Sequence, residues 1–77
     1  MRYFFDIQGE RNDIRDEEGL ELDNEQQAHR EARRLLAQIA EDESRFCATA
    51  VLMAKVRDQA GRPIYQAMLT LEGARVQ

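Results

Sequence analysis

At 77 residues, with 43% hydrophobic and 34% charged side chains, the chain has room for one domain (1–77) and one modest core. A domain of this size buries only about 60% of its unfolded surface, so self-association is an expectation from the start. The net charge of −4 excludes a general nucleic-acid coat, which needs clustered Lys and Arg to displace counterions from phosphate.

A single cysteine, Cys47, excludes an internal disulfide and suits a reducing compartment. Met1 to Ile7 contains Arg2 and Asp6 and lacks the apolar run of a signal peptide. No stretch approaches the roughly 20 apolar residues that span a bilayer, and the expectation is a soluble cytoplasmic protein.

In Arg2 to Gln8, Tyr3, Phe5 and Ile7 alternate with Phe4, Asp6 and Gln8, the period-two pattern of a strand with one buried face. Gly9 then offers a turn. Glu10 to Asp23 is acid-rich, and Leu20 and Leu22 share a face if that piece is extended, which predicts a short second strand beside the first, with Gly19 supplying a bend. The acidic run is read as a solvated turn: its spacing does not match a calcium loop, and adjacent Glu17 and Glu18 point apart when extended.

Asp23 to Glu43 reads as the one long helix, with Asp23 as N-cap and Gln26 in the reciprocal capping position. Ala28, Ala32, Leu35, Leu36 and Ile39 fall on one stripe of a 3.6-residue helix, and Leu35 and Ile39 are expected on Phe5, Leu52 and Leu69. Opposite lie Gln27, Arg30, Glu31, Arg34, Gln38 and Glu41, with Glu31 and Arg34 spaced to pair. A helix this short gains most of its stability from packing, so the stripe must be covered by the strands.

Ala48 to Asp58 and Ile64 to Glu72 form a hairpin around Asp58-Gln59-Ala60-Gly61-Arg62-Pro63, where Asp first and Gly fourth mark a type I turn. A four-residue loop, Gln59 to Arg62, pairs Leu52 with Leu69 and Val56 with Tyr65. It gathers Ala50, Leu52, Ala54, Val56, Tyr65, Ala67, Leu69 and Leu71 on one face. The fold expected is α+β: a small antiparallel sheet in the order ββαββ along the chain, with the helix on one face.

The fragments YFFD at Tyr3 to Asp6, DEEGLEL at Asp16 to Leu22 and VRDQAGRP at Val56 to Pro63 together resemble a bacterial family of small proteins of unknown function. Its members often carry His where this chain has Asp6. The resemblance implies the fold and a bacterial cytoplasmic setting and assigns no catalytic residue. In shape, one helix on a small sheet is also similar to antitoxin domains of the HicB type.

His29 is the only histidine, and with Cys47 far along the chain a zinc site of three or four soft ligands cannot be assembled in one subunit. Cys47, between Phe46 and Ala48, is expected to behave as a small buried hydrophobe rather than a nucleophile paired with His29. No cofactor loop or serine nucleophile elbow occurs, and an enzyme is not expected. One helix can cover only one sheet face, so Phe4, Val51, Met53, Ile64 and Met68 on the other are the expected contact surface of a homo-oligomeric interaction module. The alternative is a regulatory nucleic-acid-binding or antitoxin-like module using Arg30, Arg33 and Arg34 on the helix.

Overall fold

The alternating segments become three long antiparallel strands with the helix stripe laid across them. The computed structural model describes Met1–Gln77. In chain order the elements are β1 (Arg2–Gln8), β2 (Asp13–Ile14), β3 (Leu20–Glu21), α1 (Glu25–Glu43), β4 (Thr49–Arg57) and β5 (Pro63–Glu72). The sheet runs β2-β1-β4-β5, every neighbouring pair is antiparallel, and β3 also pairs with β1. The expected second strand is thus two fragments, β2 opposite Ile7 and Gln8 and β3 opposite Arg2 and Tyr3. The fold is α+β, a five-stranded antiparallel sheet with one helix.

Alternation decides what is buried. Tyr3, Phe5 and Ile7 of β1 and Ala50, Leu52, Ala54 and Val56 of β4 all point to the helix side and are buried. The helix lies over β4 and β5 and inserts Ala28, Ala32 and Leu36, with Leu36 only 2% exposed. Leu35 and Ile39 are half-buried, flanking the core beside Phe5 and Ile7. The stripe therefore has Leu36 at its centre, and small alanines let the helix N-terminal half approach the sheet closely.

Two local expectations shift. The N-cap is Asn24 rather than Asp23: its Oδ1 accepts from the Gln27 N–H at 3.0 Å, while Gln27 Oε1 accepts from the Asp23 N–H at 2.9 Å. The cap falls one residue later because Asn24 is the last residue in extended conformation (φ −158°, ψ 171°), and Gln27 reaches back past it to the amide of the preceding residue, Asp23. Cys47 is half-buried rather than buried, because the helix ends at Glu43 and the connecting turn carries Phe46 out into solvent at 70% exposure.

The hairpin has the expected register, Leu52 opposite Leu69 and Val56 opposite Tyr65. Asp58 builds its turn: its carbonyl accepts from the Gly61 N–H at 3.0 Å, and its Oδ1 accepts from the Ala60 and Arg62 amides at 2.9 Å each. Gly61 sits at φ +83°, a conformation that L side chains resist. Arg57 then pairs with Pro63, so the register shifts and Ile64 becomes the extra residue of a β-bulge.

Leu36→Ala should cost about 2 to 5 kcal/mol in urea denaturation, and Leu35→Ala clearly less, since only Leu36 leaves a closed cavity. Equal losses would place the stripe differently. Gly61→Val should cost about 1 to 2 kcal/mol through the positive φ alone, since nothing lies within 4 Å of an added Cβ.

Candidate functional site

The sheet face away from the helix is covered by no other element. Its composition follows from the register. Along β1, β4 and β5 the outward rows are Phe4 with Arg57, then Asp6 with Lys55 and Gln66, then Gln8 with Met53 and Met68, then Val51 with Thr70, then Thr49 with Glu72. The face is therefore divided. One half is charged, where Asp6, Arg15, Lys55 and Arg57 surround a shallow depression that Gln8, Pro63 and Gln66 help to line. The other half is apolar, with Val51 53% exposed, Met68 58% exposed and Met53 half-buried between them.

Of the expected contact residues, Val51, Met53 and Met68 are brought together. Phe4 is not with them: it is half-buried at the charged end, with the Arg57 guanidinium 5.1 Å from its ring centroid. Ile64 is half-buried in contact with the core cluster, because the bulge breaks the alternation that would have aimed it outward.

The charged half is built around one network. Arg57 Nε donates to Asp6 Oδ2 at 2.8 Å and its Nη2 to Asp6 Oδ1 at 3.1 Å. The same Nη2 donates to the Asp16 carbonyl at 2.7 Å, and the Asp16 N–H donates to Asp6 Oδ1 at 3.0 Å. Both side chains of the ion pair are largely shielded, 14% exposed for Arg57 and 17% for Asp6. Asp16 in turn accepts from the Phe5 N–H at 3.1 Å and, through its other oxygen, from the Glu18 and Gly19 amides at 3.1 Å each. A carboxylate thus fills the gap in the β1 edge between β2 and β3. Gly19 is required beside it: φ is +73°, and a Cβ would stand 2.9 Å from the Tyr3 carbonyl oxygen.

The acidic run is therefore not simply a solvated turn. Asp16 is an organising residue, while Glu17 and Glu18 remain exposed. The signal for this lay in Asp6, a charge in the middle of a strand between the apolar Phe5 and Ile7, which needs a cation within reach.

Partial burial works to raise the Asp6 pKa, but the Arg57 and Asp16 hydrogen bonds and the nearby Arg57 and Arg15 charges outweigh it and hold the carboxyl below its usual range. For Arg57 the Asp6 bond dominates and raises its pKa.

The helix cations are divided as well. Arg34 is held by both oxygens of Glu31, at 2.9 and 2.8 Å, and donates to Gln38. Arg33 donates to the Tyr65 hydroxyl at 3.0 Å, and Arg30 is exposed. His29 stacks on Tyr65 with ring centroids 4.0 Å apart and 15° between planes. Cys47 lies beyond the far end of the helix, whose stretch from His29 to Glu43 alone spans roughly 21 Å, so the two cannot act as a catalytic pair. The Cys47 thiol instead lies 3.9 Å from Arg11 Nη1. No three His, Cys, Asp or Glu side chains converge as ligands for a metal. No helix is long and apolar enough to cross a membrane.

Fold and surface together define a small α+β domain whose sheet is covered on one face only. Residues 2–70 match the family model of a domain of unknown function, DUF6894, and the chain belongs to that family. No curated protein and no solved structure matches it.

Because the Asp6 pKa is lowered on folding, its contribution is complete above the unfolded value of 3.8 and is lost as pH falls through the lower folded value. Asp6→Asn should therefore destabilise the protein at neutral pH and shrink the stability lost on acidification below about pH 4. An unchanged acid-unfolding profile would show that the ion pair does not contribute.

Proposed function

We propose that the chain is a small nonenzymatic interaction module of the bacterial cytoplasm that self-associates by stacking the sheet faces away from the helix. The observation that carries this reading is the exposed apolar half of that face, Val51, Met53 and Met68, which nothing in the chain covers. The lone cysteine and the resemblance of the three sequence fragments support the setting.

The two halves of the face favour a particular stacking. A two-fold axis between the Val51 row and the Met53 row would lay Val51 and Thr70 of one copy on Met53 and Met68 of the other. The same axis would lay the Thr49 and Glu72 row on the partner's Lys55 and Gln66 row, with Glu72 one strand to the side of the partner's Lys55 and within reach of it. Neither of those charges has an ion-pair partner within 4 Å in its own chain. Each apolar side chain so buried contributes about 1.5 to 3 kcal/mol before the costs of association. The nucleic-acid-binding or antitoxin-like alternative has less support, since Glu31 occupies Arg34 and Tyr65 engages Arg33.

Light scattering of the parent should give a mass above that of one chain. Val51→Lys with Met53→Glu should lower it without unfolding the monomer. Lys55→Glu should weaken association, and adding Glu72→Lys should restore it. A parent that stays monomeric at all concentrations would overturn the reading.

A further inference from the structure

The two edges of the sheet are treated differently by the chain. On the β1 side, β2, β3 and the Asp16 carboxylate engage the strand edge. On the other side β5 pairs with β4 alone, and no turn or loop hydrogen bond reaches its backbone. Edge strands are ordinarily protected by lysines, prolines, bulges or a covering segment. From Ile64 to Leu71 β5 has no charged residue, and its proline and its bulge are both confined to the start, at Pro63 and Ile64.

Burial shows the same asymmetry. The inward residues of β4, Ala50, Leu52, Ala54 and Val56, are buried, whereas their neighbours on β5, Tyr65, Ala67, Leu69 and Leu71, are only half-buried. These are side chains at the boundary of a sheet that would be completed by one more strand.

We infer that β5 is a strand-addition site and that its occupant is β5 of a second copy, paired antiparallel about a two-fold axis at Met68. The register follows from the faces. Inward residues must meet inward residues, and an axis at Met68 is the one that pairs all four of them with one another: Ala67 lies opposite the partner's Leu69, Tyr65 opposite the partner's Leu71 and, on the outer face, Gln66 opposite the partner's Thr70. On the inner face Ala67 meets Leu69 and the Tyr65 ring meets Leu71, and no charge from Ile64 to Leu71 opposes another. The axis is perpendicular to the sheet, so both helices lie on the same side. Each lies over β4 and β5, and strands about 4.8 Å apart set the two helices roughly 10 Å from each other, a separation at which helices pack.

The β5 edge shares Met68 and Thr70 with the stacking face, but the bonds it would form are different ones, and the test separates them. In an antiparallel ladder alternate amides of an edge strand point away from the sheet, so stacking of faces leaves them unbonded while strand addition bonds them. Hydrogen exchange followed by NMR on the full chain at millimolar concentration should show protection at every amide from Tyr65 to Leu71. On dilution the alternating, outward set should lose it. Gln66→Glu with Thr70→Glu sets like charges directly opposite across the axis and should abolish the outward-set protection. Gln66→Glu with Thr70→Lys sets opposite charges there and should keep it. Alternating protection in the parent at millimolar concentration overturns the inference, as does a result in which both double variants keep the outward-set protection or both lose it.

Discussion

The Arg57 guanidinium leaves β4, crosses the outer face of β1 and reaches the acidic loop on its far side, so one side chain ties together three segments distant in sequence. Charges this well shielded lose much of their hydration, and the loss is offset only where each remaining donor and acceptor is used. Here Asp6 accepts from Arg57 twice and from the Asp16 amide, and Asp16 accepts from Phe5, Glu18 and Gly19. The loop between β2 and β3 could not hold the β1 edge through its two short ladders alone. The carboxylate of Asp16 supplies the acceptor that a continuous strand would have supplied, and Arg57 holds it in register.

With that edge engaged, the apolar contacts left unsatisfied lie elsewhere. The helix covers the inner face of β4 and β5, and the outer face divides into a charged half organised by Arg57 and an apolar half around Met53. The three fragments that carry the family resemblance, with Asp6, with Asp16 and Gly19, and with Arg57, Asp58 and Gly61, all serve the architecture: an ion pair, a loop that seals an edge, and a turn. Val51, Met53 and Met68 on the face and the uncharged run of β5 at the edge lie outside those roles.

Much of the fold was legible because it rests on periodicity. The helix stripe, the hairpin register and the positive φ of Gly61 follow from spacing and turn chemistry, each a local property. What was not legible is what depends on distant partners. Asp16 reads locally as one carboxylate among many, and only the arrival of the Phe5 amide and the Arg57 guanidinium gives it a role. Ile64 reads as outward by alternation and is re-aimed by a bulge that the pairing of Arg57 with Pro63 creates. Phe4 reads as part of an apolar patch, but Asp6 and Lys55 separate it from Met53, and Arg57 lies over its ring.

The Asp6–Arg57 pair couples β1 to β4 and, through Asp16, to the acidic loop. A double-mutant cycle with Asp6→Asn and Arg57→Met, read by urea denaturation at neutral pH, measures that coupling directly. A half-buried, bidentate pair within a shared network should give an interaction energy of about 1 to 3 kcal/mol, with each single variant nearly as unstable as the double. Single effects that simply add, with no coupling beyond roughly 0.3 kcal/mol, would contradict the account.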